Sequence, residues 1–392
     1  MPEKFDVSFF IPVYRPRLAW LDTAVRSIVK LIRQSECRVE LLLGDDGSPD
    51  GIFPALSEYE REFSGAVRAF HFPENRGVGA ASCRLAELSG GRYIASFDQD
   101  DVMLPFDLDR VVKILDGHPE YGASYARKYL FDDNGLTGEV HGEGFSPFLE
   151  FFQPRININA MLIRREVLFA HGNYRPLPYS RINHDVWLMM RLAEDTLYHF
   201  DREHPRALYR VHQSQTSKSP EGDQHDFRLM GQDLICRHSA LYRQLLLDPE
   251  IPRGGTPEEE RLIIGLCGLA AFLNQQHPAI LRRMTEHAVA AHPEDWGARE
   301  ILLTILQRDE GRFQQEYRRA MRDFADDADA RYTFTNLAVG TAQQRGVAVD
   351  RELMSRFQEL HRICHTPPEI VKANVPAVKK SSFSWKIPDL KI

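Results

Sequence analysis

The acids of FDQDD (Phe97 to Asp101) are residues whose types and spacing suit chemistry: Asp98 and Asp100 form a D-x-D pair, and Asp101 adds a third carboxylate. Carboxylates this close repel one another unless a cation neutralises them, and Mg2+ or Mn2+ held by one or two carboxylates plus substrate phosphates is the usual solution. The competing reading is a solvated acidic turn in which Asp101 caps a helix starting at Val102. A second pair, Asp45 and Asp46 in GDDGSPD, faces a ligand by the same logic or forms an Asx-rich turn. A third loop, ENRGVG, offers Arg76 to a phosphate or a base. The five cysteines, Cys37, Cys83, Cys236, Cys267 and Cys364, are scattered without CxxC spacing and read as free or buried thiols. His277, His287, His292, His361 and His365 show no metal-ligand spacing and read as structural.

These loops need elements to position them. From Val7 to about Leu208, short β-rich runs alternate with amphipathic helical patterns, which is the signature of βαβ units on a mostly parallel sheet. VSFFIPVY (Val7 to Tyr14) predicts the first strand, and Leu21, Ala24, Val25, Ile28 and Ile32 mark one face of a helix over 18–32. RVELLLGDD (Arg38 to Asp46) predicts a second strand, apolar almost throughout as a strand covered on both faces should be. Strands near Val67 to Phe72 and Arg92 to Phe97 flank a helix from about Gly79 to Leu88. The acids therefore fall at the carboxyl ends of strands, where open α/β sheets bind ligands.

After about Ser219 helical periodicity dominates, interrupted by the punctuated stretch Asp248 to Glu260. Ile280, Met284 and Ala288 are echoed about 33 residues later by Phe313, Tyr317 and Met321, a spacing that suits helical hairpins or a plain bundle. The segment from Thr366 onward, broken by Pro376 and Pro388, reads as an extended docking tail. With 392 residues, 43% hydrophobic and 27% charged, the chain is a folded globular protein of two domains or one with an appendage. A formal charge of −7 gives no electrostatic reason to bind nucleic acid. No stretch approaches the roughly 18 apolar residues of a membrane span, and the start does not read as a signal peptide. The expected location is cytoplasmic, with a peripheral place at the inner face of a membrane as the variant.

Strand one ending in PVY, then DDGSPD, ENRGVGAA and YIASFDQDD followed by LP, closely resembles the nucleotide-sugar half of inverting family 2 glycosyltransferases of the GT-A fold. NAMLIRREVLFAHGNY (Asn159 to Tyr174), HDVWLMMRL (His184 to Leu192) and YRVHQSQTS (Tyr209 to Ser217) resemble the acceptor half, its catalytic acidic motif and its closing loop. The resemblance covers about residues 5 to 219. It implies an α/β fold with a mostly parallel, Rossmann-like sheet over 1–219, split near residue 105 into nucleotide-sugar and acceptor halves. An all-α domain over 220–365 and a tail over 366–392 would follow. Pro12, Tyr14, Asp46, Arg76 and Asp98 are then expected to bind the nucleoside-diphosphate sugar, with Asp46 accepting a hydrogen bond from a uracil-like edge. Asp100 would ligate Mn2+ or Mg2+, with His212 as a second candidate, and Asp185 would be the general base. Many members carry Glu-Asp where this chain has His184 and Asp185, so the role of His184 stays open.

The implied function is metal-dependent, inverting transfer from a nucleoside-diphosphate sugar, UDP-linked by expectation, to a saccharide or lipid-linked glycan. A peptide or protein acceptor, gripped by the helical domain, is the alternative, and the same helices are candidates for homo-oligomerisation. A nucleotidyltransferase would need a Gly-rich loop with Arg and Lys after strand one, which Arg15 to Trp20 does not offer. A non-catalytic sugar-nucleotide-binding scaffold fits the intact set of Asp98, Asp100 and Asp185 poorly.

Overall fold

A computed structural model describes residues 5–152, 155–156, 158–178, 184–213, 215, 220–247, 256, 259, 261–266 and 278–376. Most of Asp248 to Glu260, together with Cys267, His277 and the tail beyond Pro376, lies outside the described residues. Eleven described strands are β1 (Phe5–Val13), β2 (Val39–Asp46), β3 (Val67–Phe72), β4 (Gly91–Ser96), β5 (Val102–Met103), β6 (Tyr121–Ala126), β7 (Lys128–Asp132), β8 (Gly135–His141), β9 (Leu162–Arg164), β10 (Leu197–Asp201) and β11 (Ala207–Arg210). The helices, in chain order, begin with α1 (Leu18–Gln34), α2 (Phe53–Glu62), α3 (Val78–Leu88), α4 (Leu108–Gly117), α5 (Pro147–Phe152), α6 (Arg165–Ala170) and α7 (His184–Leu192). They continue with α8 (Pro220–Arg237), α9 (Ser239–Leu247), α10 (Pro278–Ala291), α11 (Trp296–Leu306), α12 (Glu310–Asp323), α13 (Ala328–Gln344), α14 (Arg351–His365) and α15 (Glu369–Asn374).

The chain divides into two compact units. The first comprises 1–145, 155–229 and 367–383, and its described part holds both sheets. The larger sheet runs β10-β6-β9-β4-β1-β2-β3. Its β1/β2, β2/β3, β1/β4 and β10/β6 pairs are parallel, while β9 runs antiparallel to β4 and β6. The order β3-β2-β1-β4 reverses beside β1, so a crevice opens between the carboxyl ends of β1 and β4. β2 is buried at every position, as its apolar run requires. Phe9, Ile11 and Leu41 pack against Leu21, Val25 and Ile28 of α1 and Val111 and Leu115 of α4 in one core.

A second sheet, β5-β11-β7-β8, carries the chain that leaves FDQDD and the chain that enters YRVHQ. β11 pairs parallel with β7 and antiparallel with β5. Here one expectation needs correcting: Val102–Met103 is a strand, so Asp101 caps no helix there. This sheet has its own core of Val102, Leu104, Tyr129, Phe131 and Leu208, completed by Val371 of α15. The chain thus returns after the helical unit to finish the sheet.

The second unit comprises 146–154, 230–366 and 384–392, and its described part is helical. Asp295, Asp309, Asp327 and Asp350 cap α11 to α14, each side chain accepting from a first-turn backbone N–H. Of the residues of the sequence echo, Met284 and Ala288 of α10 and Phe313 and Tyr317 of α12 are buried and Met321 is partly exposed, while the side chain of Ile280 lies outside the described residues. Asp295 also accepts a 2.7 Å hydrogen bond from Ser146, which ties the 146–152 segment to this unit. Among the described residues no helix is long and apolar enough to cross a membrane.

Val371 is fully buried while its neighbour Ile370 is 38% exposed, which makes a paired test of the returning helix. Val371→Asp places an unpaired charge in the second core and should cost at least the upper end of the usual ~0.5–3 kcal/mol for single substitutions. Ile370→Asp should stay within about 0.5 kcal/mol. Thermal melting of the two variants checks this, and equal melting temperatures would refute it.

Candidate functional site

The loops that end β1, β2 and β4 are tied to one another by short polar side chains. Gln99 bridges to Tyr14, its Oε1 accepting from the Tyr14 N–H at 3.0 Å and its Nε2 donating to the Tyr14 carbonyl at 3.1 Å. Ser48 Oγ accepts from the Arg15 N–H at 3.1 Å. The crevice at the strand-order reversal is therefore pinned across its mouth, with the Tyr14 side chain 37% exposed and Pro12 buried below it.

The acids of β2 are spent largely on loop structure. Asp45 is fully buried, accepting from the Ser48 N–H and contacting His71 Nδ1, each at 2.9 Å. Asp46, 3% exposed, accepts from the backbone N–H groups of Arg76 and Gly77 and from Asn75 Nδ2. It thus holds ENRGVG against DDGSPD; burial pushes its carboxyl upward, and the Arg76 and Gly77 N–H groups pull it back. Gly47 makes the approach possible: its φ is +67°, and a Cβ there would lie 2.5 Å from the Asn75 nitrogen. A nucleobase edge would have to use the lone pairs of Asp46 that remain. The Arg76 side chain points into solvent, paired with Glu74.

The three acids after β4 have three different environments. Asp101, 1% exposed, accepts from the Arg210 N–H at 2.7 Å and from Asn159 Nδ2. Asp100 meets His212, with 2.7 Å between Oδ2 and Nε2, and its carbonyl accepts from Arg210 Nε at 2.8 Å. Asp98 forms none of these contacts; burial and the neighbouring charges of Asp100 and Asp185 raise its carboxyl to about 7, against the pull of Lys128. Asp101 is raised by burial and by Asp98 and Asp100. His212 is held in place because Gln215 accepts from its N–H and donates to the Arg210 carbonyl, and because its ring packs 4.9 Å from Trp20. Arg210 itself lies between the rings of Trp20 and Phe131.

A divalent cation fits this arrangement. Cis ligands of an octahedral ion with bonds near 2.1 Å stand about 3 Å apart, close to the 2.7 Å between Asp100 and His212. Among the described residues no three His, Cys, Asp or Glu side chains are grouped to hold a metal; a cation on Asp100 and His212 alone would need its other ligands from phosphate oxygens or water.

Asp185 lies in the first turn of α7. That turn is set against α3 through His184, since a Cβ on Gly79 would come within 3.1 Å of His184 Cβ and Cγ and 3.3 Å of Pro176 Cβ. His184 therefore packs the start of α7 onto the glycine of ENRGVG, and Asp185 comes within electrostatic reach of Asp98, Lys128 and Tyr174. Trp187 is buried, 3% exposed. Gln99, Ser48, Asn159, Arg210, Gln215 and Lys128 were not singled out from the sequence. Arg210 and Gln215 sit inside YRVHQSQTS and Gln99 fills the middle of D-x-D, whereas Lys128 belongs to no motif.

Residues 8–174 match glycosyl transferase family 2. Over 199 residues the chain is 25% identical to the putative glycosyltransferase EpsE of Bacillus subtilis, covering 48% of this chain and 68% of EpsE. It is 28% identical over 135 residues to the minor teichoic acid biosynthesis protein GgaB of the same organism, covering 34% of this chain and only 15% of GgaB. The crystal structure of S. aureus TarS 1-349 in complex with UDP-GlcNAc superposes with a TM-score of 0.50 at 12% identity, covering 88% of this chain and 93% of that one, a likeness of fold.

The raised carboxyls make cation binding pH-dependent. Below about 7 Asp98 carries a proton, which a cation on the neighbouring Asp100 would help to expel by its charge, so Mn2+ affinity should rise as pH increases through 7. Calorimetry of Mn2+ binding in buffers of different ionisation enthalpy should show proton release at pH 6.5 that vanishes by pH 8.5. Equal affinity and no release at both values would contradict it.

Proposed function

We propose that this chain, whose residues 8–174 match glycosyl transferase family 2, transfers a sugar, with inversion, from a UDP-linked donor to a saccharide of a surface glycopolymer. The observation that carries the reading is that Asp98 and Asp100 follow the carboxyl end of β4, with His212 on Asp100 and Asp98 within reach of the charge of Asp185. The acceptor class takes support from GgaB, named for minor teichoic acid biosynthesis, and the donor class from TarS, bound to UDP-GlcNAc.

Tyr14, Pro12 and Asp46 line the nucleoside end of the crevice, Arg76 would have to swing in from its solvent-exposed pairing with Glu74 to join them, and Asp98 faces the ribose or the sugar. Asp100 and His212 would hold Mn2+ or Mg2+, which when bound would supply Lewis-acid neutralisation of charge on the departing diphosphate. Asp185 accepts the proton of the acceptor hydroxyl as its oxygen bonds to the anomeric carbon. The bond from that carbon to the phosphate oxygen breaks, its electron pair leaves with the nucleoside diphosphate, and one displacement inverts the centre. His184 orients Asp185 through its packing on Gly79.

Incubation with a panel of nucleotide sugars plus Mn2+, following slow donor hydrolysis, identifies the donor before the acceptor is known. No hydrolysis of any donor, or full turnover in excess chelator, would sink the reading. Asp100→Asn should abolish metal-dependent nucleotide binding without lowering the melting temperature. Asp185→Asn, nearly isosteric, should bind donor normally yet lose at least about a hundredfold in transfer, in line with the ~10²–10⁴ typical of general-base assistance. That loss belongs in kcat, not in donor KM. His184→Ala should lose less, and the reverse ranking would move the base to the histidine.

A further inference from the structure

The mechanism above gives Lys128 nothing to do, yet Lys128 is an expensive residue to keep. It opens β7, in register with Ala207 of β11, and is only 4% exposed. Its Nζ stands 4.0 Å from the centre of the Tyr209 ring. Among the described residues no hydrogen bond or ion pair engages its Nζ, although the residue is almost wholly buried. Burying a charge that no acceptor satisfies is costly, and here burial lowers the ammonium to about 8 even against the attraction of Asp101, Asp98 and Asp185. Groups held in such states cluster at functional sites.

Its position says which part of a ligand it would meet. Asp100 and His212 mark the diphosphate end of the site, and Asp185 marks the side from which the acceptor enters. In a single displacement the entering oxygen, the anomeric carbon and the leaving oxygen lie in line, so the transferred sugar fills the space between those ends. Lys128 packs on Tyr209, and the next residue, Arg210, donates its N–H to Asp101, so the ammonium stands on the Asp101 side of the acids, within reach of the charges of Asp98 and Asp185. The lysine therefore belongs to the sugar's part of the site. One ammonium among four carboxylates does not make a pocket for an acidic sugar, but its open N–H groups suit neutral oxygen acceptors.

We infer that Lys128 is a donor-sugar-binding residue whose Nζ donates to a hydroxyl or carbonyl oxygen of an uncharged transferred sugar, and that it contributes to the choice of that sugar. This rests on the transferase reading above. The test uses the full chain with Mn2+ and compares binding of UDP with binding of UDP-glucose and UDP-N-acetylglucosamine, in the wild type, Lys128→Met and Lys128→Gln. A hydrogen bond to a charged group contributes about 1.5–3 kcal/mol. Both variants should therefore bind the preferred UDP-sugar at least about tenfold more weakly, keep UDP affinity within about twofold, and lose in donor KM more than in kcat. Lys128→Met should also melt at the same or a higher temperature, because it removes a buried charge.

Equal losses for UDP and UDP-sugar, an unchanged UDP-sugar affinity, or an effect confined to acceptor KM would each overturn the assignment. So would a fall in melting temperature together with lost UDP binding in both variants, which would make Lys128 an element of the fold. A wild type that binds UDP and no UDP-sugar fails the transferase reading itself, an outcome visible before any variant is made.

Discussion

Negative charge concentrated at the carboxyl edge of the sheet is the constraint around which the first unit is organised. Five aspartates end β2 and β4, and each would repel the others if left to itself. The structure divides them by what satisfies them. Asp45, Asp46 and Asp101 are answered internally, by Ser48 and His71, by the Asn75 to Gly77 loop, and by Arg210 and Asn159. Asp98 has burial and like charge around it, and Asp100 has His212. The internally satisfied acids build the loops, and these fix the positions of the remaining two.

Most of the framework could be read from the sequence because one physical signal dominates it. The apolar runs of β1 and β2 have few alternatives to strands buried on both faces, and the 3.6-residue spacing of α1 survives unchanged into the core. Strand ends then follow from the first polar cluster after each run. What escaped has equally physical reasons. FDQDD followed by an apolar residue fits a helix cap as well as a strand, and only the pairing of Val102 with Leu208, distant in sequence, decides for the strand. Which of three adjacent acids points inward cannot be seen in a D-x-D-D string, since Asn159 and Arg210 make that choice from far along the chain. Lys128 lay wholly outside the motifs because an isolated lysine at the start of a strand resembles a solvated edge residue.

The helical unit shows a different kind of legibility. Its helices begin at aspartates that act as caps, a short-range signal available to any local reading. Arg299, 1% exposed and paired with Glu316 and Asp323, is legible only with the fold in hand, because nothing local marks a buried arginine among so many exposed ones.

The return of α15 to the second sheet orders events during synthesis. Leu208 and Val371 share one small core although 230–366, the greater part of the helical unit, is translated between them. At about 5–20 residues per second, the roughly 160 intervening residues take on the order of 10–30 s to make. For that interval the sheet leading to Asp101 and Arg210 waits with an uncovered apolar face. The strands that adjoin Asp101 and carry Arg210 would then be among the last parts of their unit to become firm.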